Sequence, residues 1–123
     1  MSKHIPTEIT LHKSKRILEL AFEDGQRFEL PCEYLRVFSP SAEVQGHGPG
    51  QEVLQLGKEE VNIEKIEQVG TYAIQPSFDD GHHTGIYTWE LLYKLGNEYE
   101  QLWNDYLKRL HEAGFERTES STN

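Results

Sequence analysis

In the largely apolar segment Arg16-Ile17-Leu18-Glu19-Leu20-Ala21-Phe22, a two-residue period places Leu18, Leu20 and Phe22 on one face of a strand. Glu23-Asp24-Gly25-Gln26 follows, and an Asp-Gly pair readily supplies the positive φ of a hairpin turn. Arg27-Phe28-Glu29-Leu30 alternates polar and apolar as the returning strand, and Pro31, which cannot donate to a ladder, ends it. With a shorter strand at Ile9-Thr10-Leu11-His12, the N-terminal part reads as a meander.

The middle of the chain is more broken. Cys32 to Phe38 suits a helical turn, and SPSAEVQGHGPG from Ser39 to Gly50 reads as a loop long enough to suspect a purpose. Val61, Ile63 and Ile66 mark an apolar run. Val69 to Pro76 reads as a strand led in by Gly70, with Tyr72 and Ile74 sharing a face. Ser77 to Thr84 is a polar turn, and Gly85-Ile86-Tyr87 a brief strand.

Two helices close the chain. Thr88 is placed to cap Trp89 to Leu95, with Gly96 as the stop. Asn97 and Glu100 have the spacing of a capping box for a second helix. Its apolar positions, Tyr99, Leu102, Trp103, Tyr106, Leu107 and Leu110, form one amphipathic stripe, which makes Trp103 an expected core residue. Gly114 can end it. Arg117 to Asn123 has nothing apolar to bury. The pattern predicts one small, strand-rich α+β domain with antiparallel hairpins closed by two C-terminal helices. Its expected bounds are a flexible N-terminus at 1–7, the domain at 8–115 and a disordered tail at 116–123.

Composition narrows the functions. Of 123 residues, 36% are hydrophobic and 27% charged, enough for a packed core. Acids outnumber bases 21 to 12, for a net charge of −9, so nucleic acid and anionic membranes are not expected partners. Residues 1–16 carry four cations against Glu8, or +3, which leaves −12 for the remainder. The single cysteine, Cys32, excludes an internal disulfide and a four-cysteine zinc site. The start lacks the apolar run of a secretory signal, and a soluble, cytoplasmic protein is expected.

Chemistry gathers at Asp79-Asp80-Gly81-His82-His83. Carboxylates beside imidazoles can hold a divalent ion, zinc or iron, or can orient a histidine. Neighbouring histidines cannot easily bind one ion together, so a complete site on His82, His83 and Asp80 needs His47 or Cys32 brought in. The other reading is a turn in which one histidine bonds a neighbouring segment. Cys32 stands beside Glu33, which works against a reactive thiolate. Ser39 and Ser41 lie in no nucleophile elbow. Gly46-x-Gly48-x-Gly50 follows no strand and opens no helix, so it is not a dinucleotide fingerprint.

Asp80-Gly81-His82-His83-Thr84-Gly85-Ile86-Tyr87-Thr88-Trp89 resembles the gamma-butyrobetaine-hydroxylase-like N-terminal domain family. Asp24-Gly25, Leu30-Pro31, Tyr34-Leu35-Arg36 and Val69-Gly70-x-Tyr72-Ala73-Ile74 agree with it, so the likeness runs over residues 8 to 96. It marks Gly81, Thr84, Gly85, Tyr87 and Trp89 as motif residues beside His82. The resemblance implies a small β-rich domain with a few helices. In the eukaryotic hydroxylases this domain precedes an iron- and 2-oxoglutarate-dependent oxygenase domain, and related domains are fused to P-loop iron–sulfur carriers. The 123 residues hold no such oxygenase, so no catalysis is expected.

The resemblance also implies a structural zinc, held by three cysteines and one histidine. His82 matches the histidine, while Ser39, Ser41 and Val44 stand at the cysteine positions and Cys32 matches none. No cofactor is therefore counted on. A bond from His82 to Ser39 or Ser41, joining the turn to the loop, is expected in its place. The expected function is a non-enzymatic accessory module acting on a protein partner, linked to metal or iron–sulfur handling. A metal-binding protein using His82 with His83, Asp80 or His47 and a small-ligand regulatory subunit are the alternatives.

Overall fold

The computed structural model describes residues 4–46 and 50–117. Strands β1 (Pro6–His12), β2 (Ile17–Phe22) and β3 (Arg27–Pro31) form one antiparallel sheet in the order β1-β2-β3. Helices α1 (Cys32–Val37) and α2 (Ala42–Gln45) follow. A second antiparallel sheet, β4-β5-β6, is built from β4 (Ile63–Val69), β5 (Ala73–Phe78) and β6 (Tyr87–Thr88). Helices α3 (Trp89–Asn97) and α4 (Tyr99–Glu112) complete the α+β fold. Among the described residues no helix is long and apolar enough to cross a membrane.

Register explains the core. Leu18 pairs with Leu11 and Leu30, and Leu20 with Ile9 and Phe28, so the apolar faces of the first sheet coincide. Those side chains meet Ile63, Ile74 and Phe78 of the second sheet and Leu35 and Leu92 of the helices in one cluster. The β2–β3 turn follows the Asp-Gly reading: Gly25 has φ 92°, and Asp24 Oδ1 accepts the Gln26 amide at 3.0 Å.

Several elements depart from the sequence expectation. Strand β1 starts at Pro6, ahead of the expected boundary at residue 8. Val69 pairs with Ala73, so Gly70 (φ 53°), Thr71 and Tyr72 are the turn itself rather than the entry to a strand. Tyr72 is consequently half-exposed while Ile74 is buried, and the two do not share a core face. Strand β5 continues to Phe78, into the stretch read as a turn. One helical turn, α2, sits inside the expected 39–50 loop.

Gly96 does not end α3. It lies within the helix, and a side chain there would run into the Phe28 ring, so close packing rather than helix termination is what requires glycine. Asn97 is therefore helical too, and the expected capping box does not form: Glu98 alone separates α3 from α4, with no side-chain cap. At the other end Gly114 (φ 84°) closes α4 as expected. Its amide donates to His111 and the Phe115 amide to Leu110, the double bond of a Schellman end. Trp103 is half-buried rather than fully in the core, whereas Tyr106 and Leu110 of the same stripe are buried. Arg117, expected in the tail, forms a forked ion pair with Glu33 at 2.6–3.0 Å and lies over the Trp103 ring. Positions 118–123 lie outside the described residues.

Candidate functional site

Two segments meet at the motif. After α1 the chain runs through Ser39-Pro40-Ser41, and the Ser41 hydroxyl caps α2 by accepting the Glu43 amide at 3.2 Å. Opposite, β5 ends at Phe78 and turns through Asp79, Asp80 and Gly81. Gly81 supplies a φ of 93°, Asp80 Oδ1 accepts the His82 amide at 3.1 Å, and the Phe78 amide donates to the His82 carbonyl. This turn aims the imidazole at the 39–43 segment.

His82 is 5% exposed and engaged at both ring nitrogens. Nδ1 lies 2.8 Å from Glu43 Oε1 and Nε2 lies 2.8 Å from Ser39 Oγ. An ionised carboxylate only accepts, so Nδ1 carries the proton and Nε2 accepts from the Ser39 hydroxyl. Burial lowers the imidazole pKa from its ordinary value, and the nearby Arg36 charge lowers it further. Both favour the neutral ring that this bonding needs.

The rest of the motif secures the same contact. Ser41 Oγ and Thr84 Oγ1 are 2.6 Å apart, and Gln45 Nε2 donates to the Ser39 carbonyl at 2.8 Å. Tyr87, fully buried, donates its hydroxyl to the Leu35 carbonyl at 2.6 Å, and the Trp89 indole donates to the Thr71 carbonyl at 2.7 Å. Asp80 Oδ2 accepts from Arg36 Nε at 2.8 Å and Lys58 Nζ at 2.7 Å. Burial raises the Asp80 pKa, but bonds from Lys58, the His82 amide and Arg36 outweigh it and bring the carboxyl down to about 2. Arg36 Nη1 is buried with no partner among the described residues.

Ser39, His82 and Glu43 are thus ordered as hydroxyl, imidazole and carboxylate, the connectivity of a nucleophilic triad. Sequence reasoning missed it because Glu43 joins only through the turn of α2. The arrangement is sealed. Ser39 has no exposed surface, Gly85 packs against its hydroxyl, and Ser41 donates its amide to the same oxygen at 3.2 Å. Acyl transfer needs room for a carbonyl within about 3 Å of both nucleophile and oxyanion donors, and here that space is filled by protein.

The residues present do not fit the zinc that the resemblance implies. Two of the four ligand positions are hydroxyls already bonded within the clasp, and Val44 offers no donor. Cys32 is buried near Asn62, and burial pushes its thiol up to about 11. The wider metal candidates separate as well. His83 faces solvent and bonds the Gly81 carbonyl, Asp79 accepts the Asn62 amide, and Asp80 is taken by Arg36 and Lys58. His47 lies outside the described residues. Among the described residues no three His, Cys, Asp or Glu side chains cluster as a metal site. The site is a hydrogen-bonded clasp, and its unforeseen members are Glu43, Lys58 and the Arg36 guanidinium.

The model of the family described as gamma-butyrobetaine hydroxylase-like, N-terminal, matches residues 9–93. The chain belongs to this family. Two relatives with solution structures determined by NMR share its fold. One is 47% identical with a TM-score of 0.82 over 99% of this chain and 98% of its own; the other is 43% identical with a TM-score of 0.80 over 99% and 93%. A crystal structure of a DUF971-family protein of unknown function from Acidithiobacillus ferrooxidans is 38% identical, with a TM-score of 0.63 over 74% of this chain and 91% of its own. No curated protein matches the chain. The family match contains the whole clasp, from Leu35 to Trp89.

Proposed function

We propose that this family member is a non-enzymatic accessory module that acts in the cytoplasm through contacts with a protein partner, in the setting of metal or iron–sulfur handling. One observation carries the reading. The motif's polar side chains, which could have supplied catalysis, are spent on internal bonds that form a buried clasp, with the Ser39–His82–Glu43 trio closed to substrate. The hydroxylase-like family match, with the resemblance to domains fused to iron–sulfur carriers, supports this setting, and large apolar side chains such as Val53, Tyr72 and Ile86 are left exposed for contact.

The test is affinity purification of the full chain from its native host, followed by reconstitution from purified components. A single partner that re-forms a stoichiometric complex is expected. Failure to reconstitute any complex would sink the proposal. So would iron-dependent succinate release from 2-oxoglutarate above a protein-free control.

A further inference from the structure

Beside the clasp, an apolar groove of about 360 Å³ opens between the 38–45 segment and the two C-terminal helices. Phe38 and Pro40 form one wall, and Leu91, Leu95 and Leu102 the other. It adjoins a second hollow of about 190 Å³ that shares Phe38 and Gln45 with it. The charge around these hollows runs against the chain as a whole. No carboxylate lines the first groove, and Lys94 at its edge has no side-chain partner among the described residues. Arg109 lies over the Phe38 ring and lines the second hollow, where Glu52 is the one carboxylate among the described residues. A protein of net charge −9 thus presents a basic-edged apolar slot next to the clasp.

We infer that this groove docks a partner-protein segment that inserts a leucine- or phenylalanine-sized side chain and sets a carboxylate against Lys94. The inference rests on the accessory-module reading and names its surface. A rigid apolar pocket that buries one anchor, with charge at its edge selecting the neighbouring residue, is how a small interface concentrates affinity and specificity. The clasp braces this wall: Gln45 donates to the Ser39 carbonyl at 2.8 Å, and Pro40 lies close against Gly85.

The test is amide chemical-shift titration of the full chain with two capped peptides, acetyl-Glu-Leu-Phe-Glu-amide and acetyl-Lys-Leu-Phe-Lys-amide. The acidic peptide should shift Leu91, Lys94 and Leu102 and bind at least about tenfold more tightly than the basic one. Lys94→Glu should reverse that order, and Leu91→Asp should abolish binding, with the thermal midpoint confirming that each variant is folded. Equal affinities, shifts elsewhere or no binding would overturn the inference. Occupation of the groove by octanoate but by neither peptide, or by a second copy of the chain, would overturn it too. Should the reconstituted partner bind Lys94→Glu and Leu91→Asp as it binds the wild type, the groove is wrong while the module reading stands.

Discussion

Gly85 stands against Ser39 so closely that a Cβ built on it would lie 2.5 Å from the Ser39 hydroxyl and 3.3 Å from the Pro40 ring. Gly85 is not in the left-handed region, so its requirement is space alone. Gly85→Ala should separate the two segments, at a cost of about 1–3 kcal/mol for overpacking a filled site. Denaturant unfolding measures it. A loss within error of zero would mean that the clasp opens freely.

His82 and Ser39 should be energetically coupled. His82→Ala removes a buried bridging group, and such a loss costs about 1–3 kcal/mol. The cost should be equal in strong chelator and in added zinc. Combined with Ser39→Ala, the double variant should lose less than the sum of the singles; additivity would show that the pair contributes no interaction.

Acid should weaken the clasp in two stages. The folded-state pKa of His82 is lowered below 6.5, so the unfolded chain takes up the proton first. Its stabilisation is fully present above that value and is lost as the pH falls below it. Asp80 is depressed from 3.8 to about 2, and its contribution disappears across that lower window. Stability measured from pH 7 to 5 should slope less steeply in His82→Gln than in the wild type. Parallel slopes would remove His82 as the cause.

The Ser39–His82–Glu43 trio should be chemically silent. A fluorophosphonate probe should leave Ser39 unlabelled in the folded protein, because the hydroxyl has no accessible surface. Labelling that needs intact His82 would reveal an open state and a hydrolytic activity.

Trp103→Ala should cost about 2 kcal/mol, below the ~3–5 kcal/mol of a fully buried aromatic, because the ring is half-buried under Arg117. Thermal unfolding decides it. A loss of the full size would place the indole in the core in solution.

What the sequence determined by itself was local. The Leu18-Leu20-Phe22 face of Ile17–Phe22, an Asp-Gly turn, Thr88 before an amphipathic run and Gly114 after one each act through neighbours in the chain, and each formed as read. The family motif was legible for the same reason, as was the meeting of His82 with the Ser39 segment that the resemblance implied. Tertiary structure decided the remainder. Gly96 is a packing glycine inside α3 rather than a stop, because Phe28, far away in sequence, fills the place of a side chain. Glu43 reaches His82 through one turn of helix inside an expected loop, and Arg36 and Lys58 converge on Asp80 from separate segments. Close packing and burial of this kind depend on partners distant along the chain, so no local pattern announces them, and it is these contacts that hold the imidazole of His82 between two side chains of another segment.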